Sequence, residues 1–212
     1  MKKIILFLFL FILAGCAQAT EQNIEIEQSV SVVTNTLSSS TDSFNQPVEE
    51  CLVYESFEDA NAPKWYVVND NVMGGRSLGS FKIEKGILTL FGSTNTNGGG
   101  FASIRSPLPE NILNEYDSVK LRILADNRSY DLTFRDNNRR GISQRQTIVI
   151  EQSNDWQTVE INFEDLQPAF FGRTVSAGPF NKSQAQEIGI IINDGLDGEF
   201  QLQIDEVEFC KK

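Results

Sequence analysis

Trp65, Asn69, Asp70, Asn97, Arg105 and Arg173 are the residues of this chain whose types best suit chemistry at a surface. Together with Tyr66, Tyr130, Phe170 and Phe171 they supply aromatic faces and planar polar groups, the combination that surrounds a sugar ring in a binding site. Each also has a structural use. Trp65 and Trp156 suit a core, Phe170 or Phe171 half-burial, and Arg105 a partnership with Asp70. Catalysis has less to work with, because the 212 residues contain no histidine. That excludes a Ser-His-Asp triad, a Cys-His pair and histidine ligands to a metal. A glycosidase-like carboxylate pair needs two acids set apart, and none stands out from the many in turns and along strands. The reading is therefore not an enzyme. Asn97-Gly-Gly-Gly is no phosphate cradle either, since it lacks the closing Gly-Lys-Ser/Thr and leads into a strand rather than a helix.

A second candidate site lies near the end of the chain. Phe200, Leu202 and Ile204 share one phase of a strand's alternation, whereas Val207 and Phe209 share the other. One extra residue must be absorbed near Asp205 and Glu206, which is what a β-bulge does. The bulge turns the Asp205 carboxylate out of the pleat, towards a chain end where Glu55, Glu58 and Asp59 also fall. Oxygen donors of this kind fit a hard cation such as structural calcium, with Asp205 and Glu55 as ligands; a solvated acidic edge is the competing reading. No other cofactor is expected.

The elements that position these residues read as all-β. From Cys51 onward, short alternating runs are broken by Gly, Asn, Asp and Pro. The expected strands are residues 52–57, 80–84, 87–92, 101–106, 118–125, 129–135, 145–151, 156–163, 187–193 and 199–209. Only 110–116 and 163–167 look like single helical turns. No βαβ rhythm appears, so residues 51–212 form one two-sheet domain. Between the first strands, NDNVMGGRSLGSF (69–81) has neither helix nor strand periodicity. Its Gly74-Gly75 pair and the later Gly98–Gly100 belong where the backbone takes positive φ or another group approaches closely. These two turns are expected to be neighbours, with Asp70 and Arg105 close enough to pair.

Around this domain the chain is organised for export. Lys2 and Lys3 precede an apolar run from Ile4 to Ala14 that ends in Leu13-Ala-Gly-Cys16, an export signal too short to span a bilayer. The ending resembles a bacterial lipoprotein box, which implies acylation of Cys16 after removal of the signal in residues 1–16. By the same resemblance, Ala17 after the cysteine favours the outer membrane over the inner. Residues 17–50 carry six acids and no Lys or Arg, bury little apolar surface, and read as a flexible tether. Its alternating stretch IEIEQSVSVV (24–33) can add an edge strand. Cys51 and Cys210 remain as an even pair in an exported chain, hence a disulfide that joins the domain's ends. The formal net charge is −11, which disfavours nucleic acid and anionic lipid as partners.

Several longer stretches carry a resemblance. WYVVNDNVMGGRSLGSF (65–81), LFGSTNTNGGGFASIRS (90–106), NDWQTVEINFEDLQPAFFGR (154–173), EIGIIIND (187–194) and FQLQIDEVEF (200–209) resemble the complex I intermediate-associated protein 30 family across residues 54–209. The resemblance implies a galactose-binding-domain-like jelly-roll β-sandwich, related in shape to carbohydrate-binding modules. It departs from the family at ADNR (125–128), where relatives carry Gly-Asp-Gly-Arg, and at INDGLDGEF (192–200), which replaces a more basic turn. The mitochondrial member of the family assists assembly of a respiratory complex. The resulting expectation is a lipid-anchored scaffold or binding module whose partner is a glycan or a cell-envelope protein. An assembly factor for a respiratory membrane complex is the alternative, and a glycosidase is the least favoured.

Overall fold

The structure, a computed structural model, describes residues 49–59, 64–136, 141–151 and 154–212. Cys16 and residues 17–48 lie outside the described residues, and all described residues belong to one unit, Gln46–Lys212. The strands run β1 (Cys51–Glu55), β2 (Tyr66–Asn69), β3 (Leu78–Glu84), β4 (Ile87–Thr94), β5 (Ala102–Pro107), β6 (Ser118–Ala125) and β7 (Tyr130–Asp136). They continue with β8 (Ile142–Thr147), β9 (Gln157–Asn162), β10 (Gln167–Phe170), β11 (Arg173–Thr174), β12 (Ala185–Ile192) and β13 (Gly198–Cys210). All pair antiparallel in two sheets. The first has the order β3-β4-β13-β6-β9, with β1 also on β13; the second is β11-β10-β8-β7-β12-β5-β2.

The two-residue period of a strand explains the sandwich. Leu88, Leu90, Val119, Leu121, Ile123, Leu202 and Ile204 point inward from the first sheet and are buried. Ile104, Leu132, Phe134, Ile188, Ile190 and Ile192 meet them from the second. The alternate residues of the second sheet, Arg105, Thr133, Arg135, Glu187 and Ile191, are left facing the other way. The jelly-roll β-sandwich expected from the sequence is the fold observed.

The last strand breaks phase where the sequence predicts. In the ladder with β6, Ile204 faces Ile123 and Glu206 faces Arg122, so Asp205 is the bulged residue. The bulge is where β13 changes partner on its other side. Gly198–Ile204 pair with β4, and Val207–Cys210 pair with β1. Cys51 faces Cys210 in that second ladder, and the two form the expected disulfide across 159 residues of sequence. A loop of that length gives about 4 to 5 kcal/mol in the chain-entropy account.

Three local readings change. β2, β10 and β11 fall outside the expected strands, because each has four residues or fewer, too few to show alternation. The strand expected at 145–151 is displaced towards the N-terminus; the ladder is Ile142–Thr147, and Val149 of the apolar run is exposed. β8 carries polar residues on both faces, which hides it. Residues 110–115 form turns rather than a helical turn.

Candidate functional site

The outward face of the second sheet forms the floor of a cleft of about 650 Å³, within the usual size of small-molecule sites. Cross-strand register sets its contents. Tyr66 on β2 faces Arg105 on β5, Arg105 faces Gly189 on β12, and Gly189 faces Thr133 on β7. One step along, Glu187 faces Arg135. A Cβ on Gly189 would lie 3.0 Å from Thr133 Oγ1 and 3.1 Å from Arg105 Cγ. Glycine here leaves room for the Arg105 and Thr133 side chains, which cover it.

One rim is built from the two glycine loops, and Asp70 joins them. Its carboxylate is fully buried and accepts from the Ser77 backbone N–H (2.9 Å), the Ser77 hydroxyl (2.6 Å) and the N–H groups of Gly100 (2.6 Å) and Phe101 (3.4 Å). Burial pushes its pKa up, but the hydrogen bonds from Ser77, Gly100 and Phe101 outweigh burial and hold the carboxyl below its ordinary value. The glycines follow from this geometry. A Cβ on Gly75 would sit 2.2 Å from Asp70 Cγ, and one on Gly99 would sit 2.2 Å from Asp70 Oδ2. Gly74, Gly98 and Gly100 take positive φ of 87°, 88° and 120°. The loops are neighbours as expected, but Asp70 is a strut between them rather than a ligand group, and it does not pair with Arg105.

Arg105 pairs instead with Glu187, at 3.5 Å, and Arg135 approaches the same carboxylate at 3.9 Å. The Tyr66 hydroxyl donates to the other oxygen of Glu187. Burial, then the hydrogen bond to Glu187 and the charge of that carboxylate, hold the Tyr66 phenol above its usual pKa. For Arg105, burial lowers the pKa and Arg135 adds to that, against the opposing pull of Glu187. Arg145, on β8, is spent on Asp131 (3.0 Å) and on the carbonyl of Gly172 (2.8 Å). Arg173 is exposed and has no acidic partner among the described residues.

The opposite rim is the hairpin β10–β11, whose two turn residues are Phe171 (φ 45°) and Gly172 (φ 79°). Two successive positive φ values define a type I′ turn, which ordinarily uses Asn, Asp or Gly at its first central position. A phenylalanine there carries strain of order 1 kcal/mol. Its ring is nevertheless 61 % exposed and lines the cleft beside Arg173. Phe170 contacts it edge-on at 4.4 Å.

The remaining sequence-predicted residues have other roles. Trp65 is a core residue; it is buried and donates from Nε1 to Glu55 Oε2 at 3.2 Å. Glu55 Oε1 accepts the Phe57 N–H at 2.7 Å, so both oxygens of this proposed cation ligand have protein partners. Asp205 accepts from Arg122 at Oδ2, while its buried Oδ1 has no hydrogen-bond partner among the described residues. Among the described residues the donors close enough for a metal are Glu49, Cys51 and Cys210, and the two sulfurs are consumed by the disulfide. Asn69 is structural, donating to the Gly79 carbonyl at 3.0 Å. Asn97 is exposed beside Gly98 but does not line the cleft. Tyr130 is buried and bonds Asp126.

Arg128, of the divergent ADNR turn, bonds both Asp194 oxygens at 2.6 and 2.8 Å and the carbonyls of Leu196, Gly198 and Glu199. It ties the two divergent turns together and has no donor directed to a ligand. Arg105 and Arg173 therefore remain of the six sequence-predicted ligand residues, and Arg135 and Glu187 join them. Their outward phase was readable, but only the ladder shows which outward residues share a row.

Similarity to known proteins agrees with this geometry. The family 11 carbohydrate-binding module of the cellulase Lic26A-Cel5E from Clostridium thermocellum superposes with a TM-score of 0.56 at 14 % identity, covering 76 % of this chain and 93 % of the module. The Clostridium thermocellum module in complex with a β-1,3-1,4-mixed-linked tetrasaccharide gives 0.53 at 16 % identity, over 76 % and 94 %. These likenesses establish the fold. In sequence, the mitochondrial complex I intermediate-associated protein 30 of Mus musculus is 23 % identical over 186 residues, which cover 73 % of this chain and 54 % of the mouse protein. The chain thus spans about half the length of that curated relative. The sequence profile named Complex I intermediate-associated protein 30 matches residues 55–204, which contain the Asp70 loops, Arg105, Arg135 and the Phe171 hairpin, and by that match the chain belongs to the Complex I intermediate-associated protein 30 family.

Proposed function

We propose that this protein is a non-catalytic binding module that holds an oligosaccharide in the cleft of its second sheet, and that it is exported and anchored to the envelope through acylated Cys16. The cleft carries the binding reading. It is open and presents an exposed aromatic ring beside arginine side chains, a combination that suits a sugar's apolar face and its hydroxyl edge. The related fold of a module described with a bound tetrasaccharide supports this use of the scaffold. Catalysis is disfavoured by the state of the acids. Asp70 is locked by four hydrogen bonds and Glu187 is shared among Tyr66, Arg105 and Arg135. Family membership favours a second reading, assembly of a membrane complex, in which the same surface holds a protein.

A glycan array probed with the full chain separates the two. The binding reading expects retention of a defined set of oligosaccharides and its loss in Phe171→Ala; an array with no retained glycan supports the assembly reading. Anchoring is tested by metabolic palmitate labelling, which Cys16→Ser should abolish. Equal labelling of both proteins removes the anchor from the account.

A further inference from the structure

We infer that the cleft selects an acidic oligosaccharide, with a carboxylate or sulfate ester held by Arg173 and Arg135 while a sugar ring stacks on Phe171. This rests on the oligosaccharide reading above and narrows it to a ligand class. Charge is the first observation. The chain has a formal charge of −11, yet among the described residues the cleft is lined by Arg105, Arg135 and Arg173 against a single acid, Asp70. Asp70 has no free oxygen, because Ser77, Gly100 and Phe101 occupy both. Glu187, beside the cleft, is one carboxylate divided between two guanidinium groups. The mouth is therefore positive on an acidic molecule, a field that draws anions in and repels none of the neutral sugars.

The second observation concerns unused donors. A guanidinium offers five N–H groups in a fork that matches a carboxylate or sulfate oxygen pair. Arg173 makes no ion pair among the described residues, and Arg135 reaches Glu187 only at 3.9 Å. By contrast Arg145, on the same face, and Arg128, in the turn before β7, have acidic partners in Asp131 at 3.0 Å and Asp194 at 2.6 Å. Arginines that serve the fold here have short acidic partners; Arg173 and Arg135 do not.

The third is the hairpin. A bulky residue at φ 45° on an exposed turn opposes the backbone's preference, and burial does not compensate it, since the ring is 61 % exposed. Strain kept at such a position points to a role for the ring itself. Phe171 and Arg173 are two residues apart on one turn, so a ring on the aromatic face carries its acidic substituent past the guanidinium.

The test is calorimetric titration of the full chain in detergent with three probes: an oligogalacturonate, a sulfated galactan oligosaccharide and the neutral β-1,3-1,4-mixed-linked tetrasaccharide. At least one acidic probe should bind about tenfold or more tighter than the neutral one, and added sodium chloride should weaken it. Which acidic arm binds identifies the group, carboxylate or sulfate. Arg173→Ala should bring acidic binding down to the neutral level with an unchanged melting temperature. Phe171→Asn, which keeps a residue suited to the turn, should lose binding while melting no lower than wild type. Equal or tighter binding of the neutral probe overturns the acidic inference and leaves the oligosaccharide reading standing, and so does acidic binding that ignores Arg173→Ala. No binding of any probe by a chain that melts normally overturns both.

Discussion

Asp70 shows how one side chain organises the candidate site without touching a ligand. A carboxylate with no exposure survives because four donors surround it, and two of them come from the second glycine loop. An asparagine keeps one acceptor oxygen, so the donors that faced the other oxygen meet an amide NH2 instead, at a cost of about 1–3 kcal/mol. Asp70→Asn should therefore lower the melting temperature at neutral pH while the two loops lose their common anchor. The pH dependence has a definite sign. A carboxyl held below its usual value of 3.8 stabilises the fold above that pH and loses the contribution as pH falls through the depressed value. Asp194, depressed by Arg128, adds to the same trend. Wild type should lose stability on acidification below about pH 4 and Asp70→Asn should lose less; parallel acid melts would refute this account. The sequence marked Asp70 and its glycines as unusual but gave the wrong partner. Arg105 looked available because the position of Glu187 in the neighbouring ladder cannot be read from local pattern.

At the scale of elements, the glycine loops and strand ladders separate what was legible from what was not. Strands with inward Leu, Ile and Val on one phase were found within a few residues, and the bulge at Asp205 followed from a phase change alone. β2 and β8 were hidden because one is four residues long and the other is polar on both faces. The same limits hid the grouping of Arg105, Arg135 and Glu187, whose members lie on three strands distant in sequence. For the loops, the structure divides two causes of glycine. Gly75 has no room for a Cβ beside Asp70, whereas Gly195, at φ 77°, has open space around it. Gly75→Ala should destabilise the domain clearly more than Gly195→Ala, whose cost is backbone strain of about 1 kcal/mol. Chemical denaturation of the two variants measures the difference, and equal losses would show that Asp70 moves aside freely.

The whole domain places its closure and its cleft on different sheets. The disulfide ties β1 to β13 in the first sheet, which is where residue 49 leads into the described structure. The cleft lies on the outer face of the second. The first sheet has exposed apolar residues of its own, Leu78 and Phe91 on β3 and β4, so the location of binding discriminates between surfaces. The most direct test is amide chemical-shift mapping of the isotopically labelled chain during titration with the oligogalacturonate and the mixed-linked tetrasaccharide. The account predicts that the shifts concentrate at Arg105, Arg135, Phe171, Arg173 and Gly189. Shifts centred on Leu78 and Phe91, or none at all, would contradict it.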